Sequence, residues 1–304
     1  MGGGRWDPDK WDHYTKTQSY ATKTTQQIFT QHGIHKDLSP YGIKCRESLD
    51  SPDNPRSTAI IIGLDVTGSM RPIIDDVARK SLNTLVTEIY NRKPVTDPHI
   101  MIQGIGDVRA GDPVPFQITQ FEADLRIAQQ MEKLDIHQGG GGNGSESYML
   151  AWYFAAHKTL IDCYEKRHKK AYLITIGDDG PTPDLTAKEI HTVFGDGGEA
   201  VNRDTLLDLV SRKWEVFHIT LSQGDTGSPD VQRRWTDLLG ENALTLADHT
   251  KLAEVIVSLM QIREGVDHAT VLKSWDGTTA LAVKHATAHL TKRADTVGGD
   301  MVTL

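Results

Sequence analysis

A chain of 304 residues, 38% of them hydrophobic, is long enough to bury one large core or an ordinary core with extensions. A formal net charge of -8 and a pI near 5.9 argue against a large nucleic-acid footprint, because phosphate contacts depend on clustered Lys and Arg. Cys45 and Cys163 lie far apart without CxxC spacing, so reduced thiols are expected, not a disulfide framework or a zinc site.

No apolar run approaches bilayer length, and the opening Met1 to Trp6 lacks the basic-then-apolar order of a secretory signal. A cytoplasmic or virion-associated protein is therefore expected. Residues 1–57 are polar, with Trp6 and Trp11 as isolated anchors. They predict an arm that docks on the domain or on another subunit, since this composition does not readily bury a core alone.

At Thr58 the pattern changes. Ala59 to Leu64 is a continuous apolar run, the mark of a strand buried on both faces of a parallel sheet. A long helix follows, with Met70, Ile74, Val77, Leu82, Leu85 and Ile89 at intervals of three to five residues and Pro72 in its first turn. His99 to Ile105 and Pro115 to Phe121 predict a hairpin-like pair of strands. The Gly-rich loop Gly139 to Gly144 leads into an apolar helix expected to run through Met149, Phe154, Leu160 and Ile161. Ala171 to Ile176 predicts a second central strand ending at Gly177-Asp178-Asp179-Gly180.

Beyond it, Leu206 to Val210 predicts a helix, Trp214 to Leu221 a strand, Val231 to Leu239 a helix, Ala243 to Ala247 a short strand and Leu252 to Ile262 a closing helix. Strands alternating with helices imply an α/β, Rossmann-like three-layer sandwich with a mostly parallel central sheet. The expected division is an arm over 1–57, a domain over 58–265 and a C-terminal extension over 266–304. In that extension Thr278 to Leu290 suits one more helix, and the tail around Gly298 and Gly299 suits weak order.

In an open α/β sheet, ligands bind beyond the carboxyl ends of the strands. Three polar loops fall at such ends: Asp65-Val66-Thr67-Gly68-Ser69-Met70, Gly139 to Ser147, and Gly177 to Gly180. Together they offer carboxylates and hydroxyls, the hard oxygen donors that a cation such as Mg²⁺ takes alongside retained waters. A shell of this kind leaves one position open for an acidic side chain from a partner.

In type and order these loops resemble the von Willebrand factor A (vWA) family and its metal-ion-dependent adhesion site, over about Ser57 to Gly265. The family pattern is Asp-x-Ser-x-Ser after the first strand, a Thr in the next loop, and an Asp, usually followed by Gly, after the fourth strand. Asp65, Thr67 and Ser69 meet the first motif, and Met70 after them is also typical. The Gly-rich loop matches in place but has no Thr, which leaves Asn143 or Ser145 as the expected substitute. Asp178 or Asp179 meets the third motif: strand phasing favours Asp178, and the Asp-Gly pairing favours Asp179. The resemblance implies binding without turnover, with Mg²⁺ (or Mn²⁺ or Ca²⁺) bound and a protein partner supplying an acidic residue. Intracellular members commonly act as adaptors in assemblies, often beside AAA+ ATPases, and extracellular ones bind adhesion ligands.

Other readings start from the same residues. Asp65 would serve as a simple helix N-cap, and the glycine run as a loose connector. Asp225-Thr226-Gly227-Ser228 mimics an aspartic-protease triplet in what looks like a surface turn. His285 and His289 stand one helical turn apart without a third ligand nearby, and Trp152, Trp214 and Trp235 suit packing. The enzymatic alternative is a phosphohydrolase resembling the haloacid dehalogenases, with Asp65 as nucleophile, Lys169 or Lys170 stabilising charge, and Asp178 with Asp179 holding Mg²⁺. A further alternative is a structural subunit of a phage particle or bacterial complex with a vestigial metal site.

Overall fold

A computed structural model describes residues 3–137, 139, 142–222 and 226–293. Six strands form the main sheet: β1 Thr58–Asp65, β2 Pro98–Ile105, β3 Phe116–Ile118, β4 Ala171–Gly177, β5 Trp214–Leu221 and β6 Ala243–Leu246. They lie in the order β6-β5-β4-β1-β2-β3. All neighbours are parallel except β3, which runs antiparallel to β2. The chain winds outward from β1 through β2 and β3, then returns to β4 and winds the other way. The order therefore reverses between β1 and β4, whose carboxyl ends are Asp65 and Gly177.

Successive side chains of a strand point to opposite faces, and both faces here are covered. Ile60, Ile62 and Leu64 of β1 pack into a core with Ile74, Leu85, Ile89 and Ile256, while Ala59 and Ile61 face Leu150, Phe154, Leu206 and Trp235 on the other side. The fold is thus a three-layer α/β sandwich, and the continuous apolar run in β1 follows from burial on both faces.

The helix after β1 has two α-helical parts, Arg71–Asp76 and Leu82–Arg92, joined by a π-helical turn over Val77–Ser81. This wider turn absorbs the five-residue step from Val77 to Leu82, and both side chains are buried against the sheet. The apolar helix Met149–His157 stops before Leu160 and Ile161, contrary to expectation. Thr159–Ile161 instead pairs in parallel with Arg46–Ser48. Ile161 is buried and Leu160 exposed, the alternation of a strand. The helix Ala187–Phe194 was not anticipated, although Thr186 and Glu189 form a capping box at its start. The last helix runs over Gly277–Ala286, stopping short of Leu290. Gly140, Gly141, Asp225, Gly298 and Gly299 lie outside the described residues. Among the described residues no helix is long and apolar enough to cross a membrane.

The polar N-terminal segment is built onto this sandwich. Its helix Pro8–Thr17 is capped by Asp7, whose carboxylate accepts from the amides of Asp9 and Lys10. Trp6, Trp11, Tyr20, Phe29 and Leu38 are buried in the same core as Ile60 and Ile74. Trp6 Nε1 donates to Asn83 Oδ1 at 3.3 Å, and the Trp6 and Trp11 rings lie 5.5 Å apart. Truncating Trp11 to Ala is expected to cost about 3–5 kcal/mol, as for other buried aromatic side chains. Urea unfolding followed by far-UV circular dichroism measures this, and an unchanged midpoint would show that the segment adds nothing to the core.

Candidate metal-binding cleft

Where strand order reverses, the loops leaving two neighbouring strands diverge and open a crevice at their carboxyl ends. Asp65, the last residue of β1, lies at the back of this crevice and is wholly buried. Its Oδ1 accepts from the Thr67 amide at 2.8 Å and the Thr67 hydroxyl at 2.6 Å, and its Oδ2 accepts from the Tyr148 hydroxyl at 3.0 Å. Burial outweighs these bonds and, with nearby Asp178 adding to it, pushes the Asp65 carboxyl up to about 7. Asp65 is not a helix cap. The helix Arg71–Asp76 begins after Met70, with no side-chain capping bond.

Tyr148 reaches Asp65 because β4 ends in glycine. A Cβ on Gly177 would collide with the Tyr148 hydroxyl. Behind it, the Tyr148 ring meets His218 and Trp235 edge-on at 5.0 and 5.4 Å, and His218 stacks on Trp235 at 3.7 Å. Burial drives His218 well below its ordinary pKa, which leaves the imidazole neutral.

The cleft in front of Asp65 encloses about 360 Å³ and is bordered by Thr67, Ser69, Glu146, Asp178 and Asp179, with Thr226 to Ser228 on the far side. Burial raises the Asp178 carboxyl, against the lowering influence of Ser69. Asp178 Oδ1 is buried with no hydrogen-bond partner among the described residues. Asp179 is raised by burial and by Asp178, against the pull of Arg234. Glu146 is 2% exposed, and its Oε2 likewise has no partner among the described residues. Burial, followed by the charges of Asp65, Asp107, Asp179 and Asp112, pushes Glu146 up to about 10.

Helix Pro229–Leu239 ties these loops together. Arg234 donates to the carbonyls of Gly144 and Pro181, each at 2.9 Å, and Trp235 Nε1 donates to the Asp179 carbonyl at 2.9 Å. Ser145–Glu146 pairs in parallel with Gly180–Pro181. The Gly-rich loop is therefore fixed directly to the loop that carries Asp178 and Asp179.

Thr67, Ser69, Asp178 and Asp179 thus meet around one cleft, with Asp65 behind Thr67. Asn143 and Ser145 do not border it. Asn143 is exposed; its Nδ2 donates to Asp107 Oδ2 at 2.6 Å, and its Oδ1 accepts from the Ser145 amide at 3.0 Å. The residue turned inward is the next one, Glu146, which the sequence signals only as a carboxylate following a glycine run. Asp107, also missed, anchors the same loop through Asn143 and Ser147.

Lys169 and Lys170 precede Ala171, at the amino end of β4 and away from the cleft. Lys169 is paired with Glu264 at 2.7 Å, and both lysines lie at the opposite end of the parallel β1–β4 pair from Asp65. Ser228 caps helix Pro229–Leu239, and His285 and His289 are exposed. Trp152, Trp214 and Trp235 are fully buried. Among the described residues no three His, Cys, Asp or Glu side chains are grouped to hold a metal ion by themselves. A cation in the cleft would draw on hydroxyl and water oxygens as well.

No family model and no curated protein matches the chain. Solved structures resemble it weakly. The pilus adhesin SpaC from Lactobacillus rhamnosus GG is 11% identical, with a TM-score of 0.45 over 75% of this chain and 33% of that one. A von Willebrand factor type A structure from Catenulispora acidiphila is 14% identical, with a TM-score of 0.42 over 69% of this chain and 43% of that one. The ArnB paralog VWA2 from Sulfolobus acidocaldarius is 13% identical, with a TM-score of 0.32 over 70% and 46%. The chain spans less than half the length of each.

The raised carboxyls make cation-free stability depend on pH. Folding favours their protonated forms, so their contribution is complete below about pH 4 and is lost as pH rises, by about 7 for Asp65 and about 10 for Glu146. Urea melts in chelator should therefore show the wild type losing stability between pH 4 and 7 relative to Asp65→Asn, which lacks this titration. A wild-type curve parallel to that of the variant would contradict the assignment.

Proposed function

We propose that the chain is a protein-interaction module of the vWA type that holds a divalent cation, Mg²⁺, Mn²⁺ or Ca²⁺, in the cleft between β1 and β4. The observation that supports this most is that two buried carboxylate oxygens, Asp178 Oδ1 and Glu146 Oε2, lack hydrogen-bond partners among the described residues and border the same cleft as two hydroxyl residues. Buried charge without a partner is costly, and a hard cation is the group that oxygen donors of this kind accept.

In this reading Thr67 and Ser69 offer hydroxyl oxygens, and Asp178 offers a carboxylate from the loop that leaves β4. Asp65 orients Thr67 and adds negative charge from behind without bordering the cleft, and Asp179 adds charge at the rim. When bound, the cation supplies a fixed positive centre that can accept an oxygen from a second protein. An acidic side chain is the fitting partner group, because carboxylates are strong ligands of hard cations. A component of a larger assembly, such as an AAA+ ATPase, is one class of partner that would present it.

The phosphohydrolase reading loses support from the placement of Lys169 and Lys170. Both Asp65 oxygens are also already engaged by Thr67 and Tyr148. Titration calorimetry with Mg²⁺ and with Ca²⁺ is expected to show a single site that weakens at least about tenfold in Asp65→Ala and in Asp178→Ala. Unchanged affinity in both variants would remove these residues from the site. Pull-down from host extract is expected to lose its partner on addition of chelator. Metal-dependent phosphatase activity that disappears in Asp65→Ala would replace the binding reading with the enzymatic one.

A further inference from the structure

The loop that in the resembling family contributes a neutral hydroxyl here turns a carboxylate inward, and its position is built with care. Glu146 is held by its strand pairing with Gly180–Pro181 and by the Tyr148 amide, which donates to its carbonyl at 2.9 Å. Ser147, next to it, donates its amide to the Gly106 carbonyl at 3.2 Å. The side chain borders the cleft together with Thr67 and Ser69, 98% of its surface is buried, and Oε2 has no partner among the described residues. Arg234, which reaches this loop, directs its guanidinium to the Gly144 and Pro181 carbonyls.

We infer that Glu146 is a resident ligand of the cleft's cation and that it shifts the site toward Ca²⁺ over Mg²⁺. This rests on the cation reading given above. Mg²⁺ demands tight octahedral geometry and keeps several waters, whereas Ca²⁺ takes six to eight oxygens flexibly and tolerates several carboxylates. With Glu146 added to Asp178 and to the charge of Asp65, the oxygen set is more anionic and larger than hydroxyls and one carboxylate would make it. A partner oxygen then meets a site whose positive charge is already largely balanced from within.

Terbium(III), a luminescent stand-in for Ca²⁺, tests this on the full chain. Its lifetimes in H₂O and D₂O count the waters left on the bound ion. Glu146→Gln is isosteric and neutral; it is expected to add about one coordinated water and to weaken Ca²⁺ binding about tenfold or more, with a smaller effect on Mg²⁺. A water count and a Ca²⁺ affinity equal to wild type, with Asp65→Ala still weakening binding, would overturn the role of Glu146 and leave the cation site standing. Failure of the wild type to bind terbium or Ca²⁺ would overturn both. Should Glu146→Gln not fold, Glu146→Asp keeps the charge but draws the oxygens back by one methylene. An altered water count in that variant supports the inference, and an unaltered one refutes it.

Discussion

A carboxylate at the end of a buried strand must be neutralised, hydrogen-bonded or given a cation, and the upper edge of this sheet is arranged around that requirement at Asp65. Thr67 supplies two hydrogen bonds and Tyr148 a third. Those bonds do not offset burial, since the carboxyl still rises to about 7. Asp178, Asp179 and Glu146 lie around the same cleft and all shift in the same direction. Acidic groups are thus gathered where an ordinary core would exclude them, the kind of perturbation that clusters at functional sites.

The scaffold holds this arrangement through packing. Tyr148 approaches Asp65 only because Gly177 has no side chain, and its ring is fixed by His218 and Trp235. The same Trp235, with Arg234, fastens helix Pro229–Leu239 to both loops that border the cleft. One helix therefore sets the spacing between the Gly-rich loop and the Asp178 loop. Rigid supporting elements of this kind matter for ion binding, since ligand oxygens must be placed to within fractions of an ångström.

Charge elsewhere is distributed differently. At the amino ends of the strands, Arg263 is paired with Glu215 and Glu241, Lys169 with Glu264 and Arg167 with Asp50. These cations at the amino ends are met by carboxylates, whereas Asp178 Oδ1 and Glu146 Oε2, bordering the cleft at the carboxyl ends, have no hydrogen-bond partner among the described residues.

The central strands are legible along the chain because burial on both faces leaves a continuous apolar run in β1 and a nearly continuous one in β4, while β5 interleaves Glu215, His218 and Thr220 with its apolar residues. The alternation of strands with amphipathic helices fixes the α/β class. Asp65, Thr67, Ser69, Asp178 and Asp179 were legible because strand ends in a parallel sheet are where polar loops converge. The sequence leaves open whether the polar N-terminal arm, with Trp6 and Trp11 as anchors, docks on the domain or on another subunit; packing places Trp6, Trp11 and Phe29 in the main core. Thr159–Ile161 reads as helix until Arg46–Ser48, more than a hundred residues earlier, supplies its strand partner. Which residue of the Gly-rich segment borders the cleft is likewise decided by tertiary contacts: Glu146 does, and Asn143 and Ser145 do not. Pairing with Gly180–Pro181 sets which residue of an irregular loop faces inward, and local sequence carries no record of a register fixed by a distant strand.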